Sequence, residues 1–369
     1  MKKFKIEIIL AILILILVVV IGLLFVAIRS AKTSTYQTGQ IKEVMAQSLP
    51  ATFAVVEEPI AVEPKETIMA FGGDVMLSRV VGQKMVKKND FAWPFEKIGN
   101  EFKKVDLAIV NLESPFTISS GSHLVQTGSF SFNADPKSMA GLEEAGIDLI
   151  SLANNHFGNQ GQKGMLDTFK TLNDNGIGYV GAGKNDREAH APYIKEINGV
   201  KFGFLSYAYP EDLYLATSVK AGMANMNLGK AKSDIDSLKK QADVIIVLVH
   251  AGTEYVAKAN SQQIAFDHGV IDAGADLVIG HHPHWVQNIE NYKGKYIIYS
   301  LGNLIFDQMW SQETREGAIA KVYFQDKELE KIEILPIVIN DYGQPDLAIG
   351  SQKSKILKRM GLSSGEIKL

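Results

Sequence analysis

The chain has 369 residues, of which 46% are hydrophobic and 21% charged, and its formal net charge is -3 at pH 7. This composition is typical of a globular protein and excludes an intrinsically disordered chain, and the lack of a basic excess argues against a nucleic-acid partner. There is no cysteine, which excludes disulfides and thiolate metal sites, so any metal must be held by nitrogen and oxygen.

The N-terminal segment is predicted to anchor the protein in a membrane. Residues 8–28 (IILAILILILVVVIGLLFVAI) contain no charged side chain, and a helix of this length would be roughly 30 Å long, enough to cross a bilayer. A core helix is seldom apolar on every face, and a signal peptide has a shorter apolar region of about 7–15 residues. Three lysines in residues 1–7 precede the segment, against Arg29 and Lys32 after it. Residues 1–7 are therefore expected in the cytoplasm and the bulk of the chain outside the cell.

Three further segments follow the anchor. Residues 29–65 are small and polar with prolines near their end, which predicts a flexible stalk. Residues 66–340 are predicted to form one domain. The apolar pattern weakens beyond it, so residues 341–369 are expected to be a loosely held C-terminal tail with one short basic helix.

Within the predicted domain, short apolar runs each end in a polar cluster. Such runs, separated by amphipathic stretches, indicate buried strands of an α/β sheet, and ligands bind beyond the carboxyl ends of these strands. The side chains of these clusters are therefore expected to converge. Six such runs are present. TIMAF precedes Asp74, DLAIV precedes Asn111 and Glu113, and IDLISLA precedes Asn154, Asn155 and His156. DVIIVLV precedes His250, ADLVI precedes His281, His282 and His284, and KYIIYSL precedes Asn303.

Amphipathic stretches between these runs predict the helices. In GQKGMLDTFKTLNDNG, four apolar residues recur at helical spacing on one face, namely Met165, Leu166, Phe169 and Leu172. The stretches AKSDIDSLKKQA and SQQIAFDHGVIDAG have a similar pattern before the next strands. Alternating strands and helices of this kind predict an α/β fold.

The converging side chains are oxygen and nitrogen donors with almost no cation among them. Buried carboxylates and imidazoles remain unpaired unless a positive charge lies between them, so the pattern predicts a divalent metal, and two ions suit this many ligands better than one. The segment GHHPHW holds three of the 8 histidines of the chain, and its proline stiffens the link between His282 and His284. Manganese, iron(II), zinc and cobalt all suit such ligands, and the sequence does not choose among them.

Other conspicuous side chains are interpreted as structural. His123, His190 and His268 lie away from the polar clusters, and Trp93, Trp285 and Trp310 are expected to be packing residues. Taken singly, Asp74 or Asn154 is equally typical of a turn or a helix cap, so the metal interpretation depends on all the clusters sharing one sheet edge.

The chain contains six motifs in this order: GGDVMLSR, DLAIVNLESPFT, SLANNH, HAGTEY, IDAGADLVIGHHPHWVQNIE and IIYSLGNLIFD. They resemble those of the CapA family of capsule or poly-γ-glutamate biosynthesis proteins, also called PgsA. The resemblance runs from about residue 68 to residue 307. That family is similar to the calcineurin-like metallophosphoesterases. The resemblance therefore implies a four-layer α-β-β-α sandwich with a two-metal site, in a membrane-anchored component of an extracellular capsule system.

The resemblance also implies roles for individual residues. Asp74, Asn155, His250, His282 and His284 correspond to metal ligands, Glu113 to the bridging carboxylate, and His156 to the catalytic acid or transition-state donor. The remaining candidates contact the substrate or support the ligands: Arg79, Asn111, Asn154, Glu254, His281 and Asn303, together with Asp307. Four features depart from the related patterns. Met76 replaces a metal-binding histidine, and Asn111-Leu112-Glu113 replaces a Gly-Asp-x-x-Asp motif. Ala251 stands where a tryptophan is usual, and Asn159 stands where an aspartate is common.

Three functions agree with these features. The first is a metal-dependent hydrolase or transferase that cleaves an amide or a phosphoester during synthesis or export of polyglutamate or a related capsule polymer. The second is a non-catalytic subunit that holds the polymer or the membrane synthase. The third is a surface metallophosphoesterase unrelated to the capsule.

Overall fold

The computed structural model describes residues 65–117, 130–209 and 214–369. The predicted anchor at residues 8–28 and the stalk at residues 29–65, apart from its last residue, lie outside this part of the chain, as does His123. Within the described ranges, none of the helices combines the length and the apolar character that crossing a bilayer requires.

The strands are numbered in chain order. They are β1 (Glu66–Val75), β2 (Leu107–Leu112), β3 (Leu149–Ser151), β4 (Gly178–Val180), β5 (Ala182–Gly183), β6 (Tyr193–Ile197), β7 (Val200–Ala208), β8 (Gly222–Met223), β9 (Val244–His250), β10 (Leu277–His281), β11 (Ile289–Tyr292), β12 (Lys295–Ile298), β13 (Asn303–Ile305), β14 (Glu316–Gln325), β15 (Glu328–Asn340), β16 (Gln344–Leu347) and β17 (Glu366–Lys368).

The α-helices of the described residues are numbered in the same way. They are α1 (Arg79–Lys88), α2 (Gly99–Lys103), α3 (Met139–Ala145), α4 (Gly161–Asp174), α5 (Asp186–Ala189), α6 (Leu228–Leu238), α7 (Ser261–Ala273) and α8 (Gly350–Arg359). Helix α4 begins at the predicted position and buries Met165, Phe169 and Leu172, but Leu166 is 45% exposed, so its place on the buried face was wrongly predicted.

Two large sheets contain most of these strands. In the first, the order is β16-β15-β14-β1-β2-β3-β4, with β13 also paired to β1 and β17 to β15; in the second it is β11-β12-β10-β9-β7-β6. The neighbours β1 to β4 are parallel to one another, as are β7, β9, β10 and β12. Their carboxyl ends therefore form one edge in each sheet, and the predicted α/β class is confirmed.

Alternate residues along the parallel strands face different cores, which defines four layers. In β9, Ile246 and Leu248 lie in a core built from both sheets, whereas Val247 lies in a core shared with α6 and α7. In β2, Ile109 faces the first of these cores and Val110 faces a third core, shared with α3 and α4. The order is thus helices, first sheet, second sheet, helices, with apolar residues on both faces of each central strand.

An aspartate stands at the start of several parallel strands and completes their hydrogen bonding. The carboxylates of Asp106, Asp148 and Asp276 accept backbone N–H groups from Ile68, Ala108 and Ile245 of the neighbouring strand, at 2.8, 2.8 and 2.9 Å. Each of these N–H groups lies at the beginning of its sheet ladder, where a side-chain acceptor fixes the register of the strand.

At the opposite edge, glycines allow strand ends to approach closely. A Cβ atom on Gly73 would lie 2.0 Å from the carbonyl oxygen of Gly302, and one on Gly280 would lie 2.0 Å from that of Tyr299. Because only glycine fits, the end of β1 packs directly against the segment before β13, and the Asp74 N–H donates to Gly302 at 3.0 Å. Asp74 is positioned by this contact.

The segment beyond residue 340 belongs to the fold, so the expected loose tail is wrong. Both β16 and β17 pair with β15, and Ile356, Leu357 and Met360 are buried in the core between the sheets. Helix α8 is the predicted short basic helix. The strands here have only four and three residues, which is too short for an alternating pattern to be recognised.

Candidate metal centre

All the predicted polar clusters meet at the joint carboxyl edge of the two sheets. In the first sheet, Asp74 lies at the end of β1 and Glu113 directly follows β2; in the second sheet, His250 ends β9 and His284 follows β10. His284 Nδ1 lies 3.3 Å from the Asp74 carboxylate, and His250 Nε2 lies 3.6 Å from that of Glu113. Residues that are up to 210 positions apart in the chain therefore form one cluster.

The carboxylates and imidazoles form two donor groups that share one residue. Asp74, Glu113 and His284 make the first, and Glu113, His250 and His282 make the second, with the ligand atoms of each group within 4.8 Å of one another. Asn155 adjoins the second group, since its Oδ1 lies 3.0 Å from His250 Nε2. His282 and His284 thus face different groups, and Glu113 lies between them.

Glu113 is the residue of the site whose buried carboxylate is left without a hydrogen-bond donor. Its side chain is fully buried, and neither carboxylate oxygen has a hydrogen-bond partner in the structure. Burial, together with the negative charge of Asp74, raises the pKa of Glu113 well above its usual range. A buried carboxylate without a partner is costly, and a divalent cation on each side would supply what it lacks. The donor set therefore fits a metal.

In the first donor group, His284 carries a positive charge in the absence of a metal. Burial alone would lower the pKa of His284, but the Glu113 and Asp74 carboxylates outweigh burial and raise it to about 9. Burial alone would raise the pKa of Asp74, but the hydrogen bond and the positive charge of His284 outweigh burial and lower it. Asn303 Oδ1 lies 2.9 Å from His284 Nδ1 and orients the ring. The proton on His284 therefore supplies the positive charge that a metal ion would otherwise supply.

The two imidazoles of the second donor group are neutral. Burial and the neighbouring imidazoles lower the pKa of His250, and burial with the charge of His284 lowers the pKa of His282 to about 3. Asn111 donates from Nδ2 to Asp74 at 2.8 Å and faces His250 Nδ1 at 3.3 Å. Neutral imidazole is the form that binds a metal.

His156 lies at the edge of the donor groups and is only 8% exposed. Its Nδ1 hydrogen-bonds Asn159 Oδ1 at 2.9 Å, its ring stacks on Phe132 at 3.9 Å, and its Nε2 lies 4.0 Å from Glu113. Burial outweighs the Asn159 hydrogen bond and lowers the pKa of His156 to about 4. Because Asn159 accepts the Nδ1 proton, the bare Nε2 is directed toward the cluster as a proton acceptor.

The other predicted residues hold the cluster rather than join the donor groups. Asn154 donates to the Leu112 carbonyl at 2.8 Å and accepts the His156 N–H at 3.1 Å. His281 is buried and its Nε2 lies 3.1 Å from the Gly72 carbonyl, which secures the end of β1.

Arg79 and Glu254 lie at the rim of the cluster. Arg79 pairs with Asp307, with Nε 3.2 Å from Oδ2, and its guanidinium lies over the Phe132 ring at 4.9 Å from the centroid. Glu254 is half-buried, and its charge acts on both Glu113 and His284. The charge of Arg79 also acts on Glu113, so both residues border the donor groups.

The backbone around the cluster is strained. His282, His284, Tyr255 and Arg79 all have positive φ angles, of 98°, 56°, 62° and 49°. Such angles are uncommon for bulky residues and accumulate at functional sites. In the HHPH segment they turn successive imidazoles in different directions, and the Tyr255 N–H bonds the Pro283 carbonyl at 2.9 Å.

Three residues at the rim were missed or misread from the sequence. Phe132 lies far from any polar cluster in the sequence. Gln308 bonds both Asn303 and Tyr255, but apart from its position next to Asp307 nothing in the sequence indicates that it belongs to the site. Trp310 was expected to pack but is 61% exposed, unlike Trp93 at 4%. His190 and His268 are remote from the cluster and bond Asp234 and Glu290.

The fold and the cluster define a mixed α/β protein whose strand ends carry donor groups suited to a divalent metal. A family model described as "Bacterial capsule synthesis protein PGA_cap" matches residues 68–308. The chain belongs to this family of bacterial capsule synthesis proteins, which confirms the resemblance to CapA seen in the motifs.

Similar proteins include two curated relatives from bacilli. The chain is 29% identical to "Capsule biosynthesis protein CapA" of Bacillus anthracis, over 81% of this chain and 74% of the relative. It is 30% identical to "PGA biosynthesis protein CapA" of Bacillus subtilis (strain 168), over 79% and 76%. Among solved structures, a putative 5'-nucleotidase from Staphylococcus aureus matches with a TM-score of 0.48 and 14% identity, over 80% of this chain and 58% of that one. A TM-score this low supports no conclusion about chemistry.

Proposed function

We propose that this protein is a divalent-metal-dependent hydrolase or transferase that acts on a polymer of the capsule or poly-γ-glutamate type outside the cell. Residues 8–28 would anchor it in the cell membrane, residues 29–65 would act as a stalk, and membrane synthase subunits would be its partners. The observation that carries the catalytic proposal is Glu113, a buried carboxylate without a hydrogen-bond partner between two donor groups.

The donor groups suit two ions of manganese, iron, zinc or cobalt. Asp74 and His284 would hold one ion and His250, His282 and Asn155 the other, with Glu113 bridging them. Ions bound there would polarise a carbonyl or phosphoryl group and acidify a water molecule. Asn303 and Asn111 keep the ligands in orientation through hydrogen bonds to His284 and Asp74.

His156 is the proposed proton-transfer residue. Because Asn159 accepts the Nδ1 proton, Nε2 can take a proton from the attacking nucleophile and pass it to the leaving group. The stack on Phe132 fixes the ring plane, and the lowered pKa keeps the imidazole neutral near pH 7. A residue in this position typically contributes about 10²–10⁴-fold to the rate.

The test compares His156→Ala with His268→Ala in full-length protein purified in detergent. Each variant is loaded with each of the four metals and assayed on poly-γ-glutamate and on a chromogenic phosphodiester. We expect His156→Ala to keep its metal and to lose about 10²–10⁴-fold in activity, whereas His268→Ala, whose ring stacks on Tyr292, remains active. No turnover of either substrate by the metal-loaded wild type would refute the catalytic proposal and favour a non-catalytic assembly subunit.

A further inference from the structure

A pair of aromatic residues borders the candidate metal centre and takes no part in the proposed chemistry. The Tyr255 ring stacks beside that of His284, with centroids 6.0 Å apart and an interplanar angle of 27°. Trp310 meets the Tyr255 ring edge to face, at 4.7 Å and 81°. The two rings, called the aromatic rim below, therefore continue directly from a proposed metal ligand to the protein surface.

The rim is held rigidly. Tyr255 has a φ of 62°, and its N–H bonds the Pro283 carbonyl at 2.9 Å. Its hydroxyl accepts the Gln308 amide at 3.2 Å, and burial together with the negative charge of Glu254 raises its pKa. Gln308 in turn accepts a hydrogen bond from Asn303 at 3.1 Å. One network thus connects the aromatic rim to the residue that orients His284, which is the arrangement expected of a binding surface built together with the site.

Packing in the core does not explain the position of Trp310. It is 61% exposed, whereas Trp93 is 4% exposed and lies in the core. Its indole contacts the Tyr255 ring, and most of it faces solvent. A bare indole beside a polar cleft provides a large apolar face that a ligand can cover, and stacking on such a face is a common use of tryptophan at binding surfaces.

The polar groups around the rim identify the class of ligand. Within the described ranges, no lysine or arginine lies over either ring, and Arg79 is already paired with Asp307. The neighbouring Glu254 carboxylate places a negative charge beside Tyr255, and this charge would repel a carboxylate polymer. A sugar ring, in contrast, has an apolar C–H face for the indole and hydroxyl groups for Glu254 and Gln308.

We infer that the aromatic rim of Tyr255 and Trp310 is a carbohydrate subsite, which binds one sugar ring of a neutral glycan next to the metal centre. The inference rests on the proposed function in one respect: the glycan would be part of the substrate, or the acceptor, of the same site. It differs from that function in assigning a sugar, rather than glutamate, to this side of the cleft.

The test measures binding of a neutral N-acetylglucosamine tetramer to the full-length protein in detergent, by tryptophan fluorescence and calorimetry. We expect binding by the wild type, and about fivefold weakening in Trp310→Ala, which corresponds to the roughly 1 kcal/mol that a stacked ring contributes. Trp310→Phe should recover part of the affinity. The control is Tyr342→Ala, which removes another exposed aromatic ring, at a turn where it meets Lys84, and should bind like the wild type.

Two results would overturn the inference. One is the absence of tetramer binding by the wild type; the other is Trp310-dependent binding of a γ-glutamate oligomer in place of the tetramer. Metal content and turnover of the small phosphodiester are measured in the same samples and should be unchanged in the control Tyr342→Ala. If the wild type shows no turnover but binds the tetramer through Trp310, the proposed hydrolase fails and the subsite stands.

Discussion

Glu113 is the residue on which the two donor groups depend. It is the one member common to both groups, and its burial without a partner distinguishes it from the ion-paired acids elsewhere in the described chain. Asp74, by comparison, is satisfied by Asn111 and His284. Removing the charge of Glu113 should therefore affect both groups at once, whereas removing Asp74 or His282 should affect one.

Glu113→Gln is expected to reduce metal binding at both positions. The amide keeps the volume of the side chain but loses the negative charge that would bridge two cations, so metal content should fall by at least half, as measured by elemental analysis after dialysis. The matched control is Asp267→Asn in α7, because Asp267 is also buried, has an oxygen without a partner and a raised pKa caused by burial. Equal metal content in wild type and Glu113→Gln would contradict the bridging role.

Residue identities at the site were largely predictable, whereas their orientations were not. The histidines of GHHPHW and the acids after β1 and β2 stand out because cores and loops seldom need them. The pairing of Arg79 with Asp307 and the exposure of Trp310 depend on neighbours that are distant in the chain. No local pattern contains that information, and so Trp310 was misread.

At the scale of elements, the aspartates before the parallel strands are expected to stabilise the sheet ladders. Asp148→Ala leaves the Ala108 N–H without its acceptor at the start of β2, which should cost about 1 kcal/mol in the free energy of unfolding. Chemical denaturation would measure this against Asp174→Ala, which removes an exposed partner of Lys170 on α4 and should change stability by at most about 0.5 kcal/mol. Equal stability of the two variants would refute the role of these aspartates.

The existence of strands and helices was predictable, but their division between two sheets was not. Strands β2 and β9 are buried throughout, so their sequences indicate two covered faces without revealing what covers each one. The four-layer arrangement came from the resemblance to a family. The short strands β16 and β17 were missed because strands of that length have no period to detect.

At the scale of the whole molecule, the histidines of the cluster predict how stability depends on pH without metal. The folded pKa of His284 is about 9, above its ordinary 6.5, so its stabilising effect is complete below pH 6.5 and is lost as the pH rises through 9. The raised pKa of Glu113 acts in the same direction. The lowered pKa values of His156 and His282 act in the opposite direction, since unfolding lets these residues take up protons below pH 6.5.

The metal-free protein should therefore be most stable near pH 6.5. Its melting temperature should fall toward pH 9, where each released proton corresponds to about 1.4 kcal/mol per pH unit, and also toward pH 5. Metal-loaded protein should not lose stability toward pH 9, because the cation replaces the proton on His284. Calorimetry across this range with and without chelator tests this, and identical pH profiles of the two forms would contradict it.

The central claim is that donors from both sheets converge because they hold cations. Elemental analysis of full-length protein, purified in detergent without added chelator and reconstituted with each of manganese, iron, zinc and cobalt, tests it most directly. We predict close to two equivalents per chain for at least one of these metals, reduced in Glu113→Gln and unchanged in Asp267→Asn. Well below one equivalent with every metal would contradict the account.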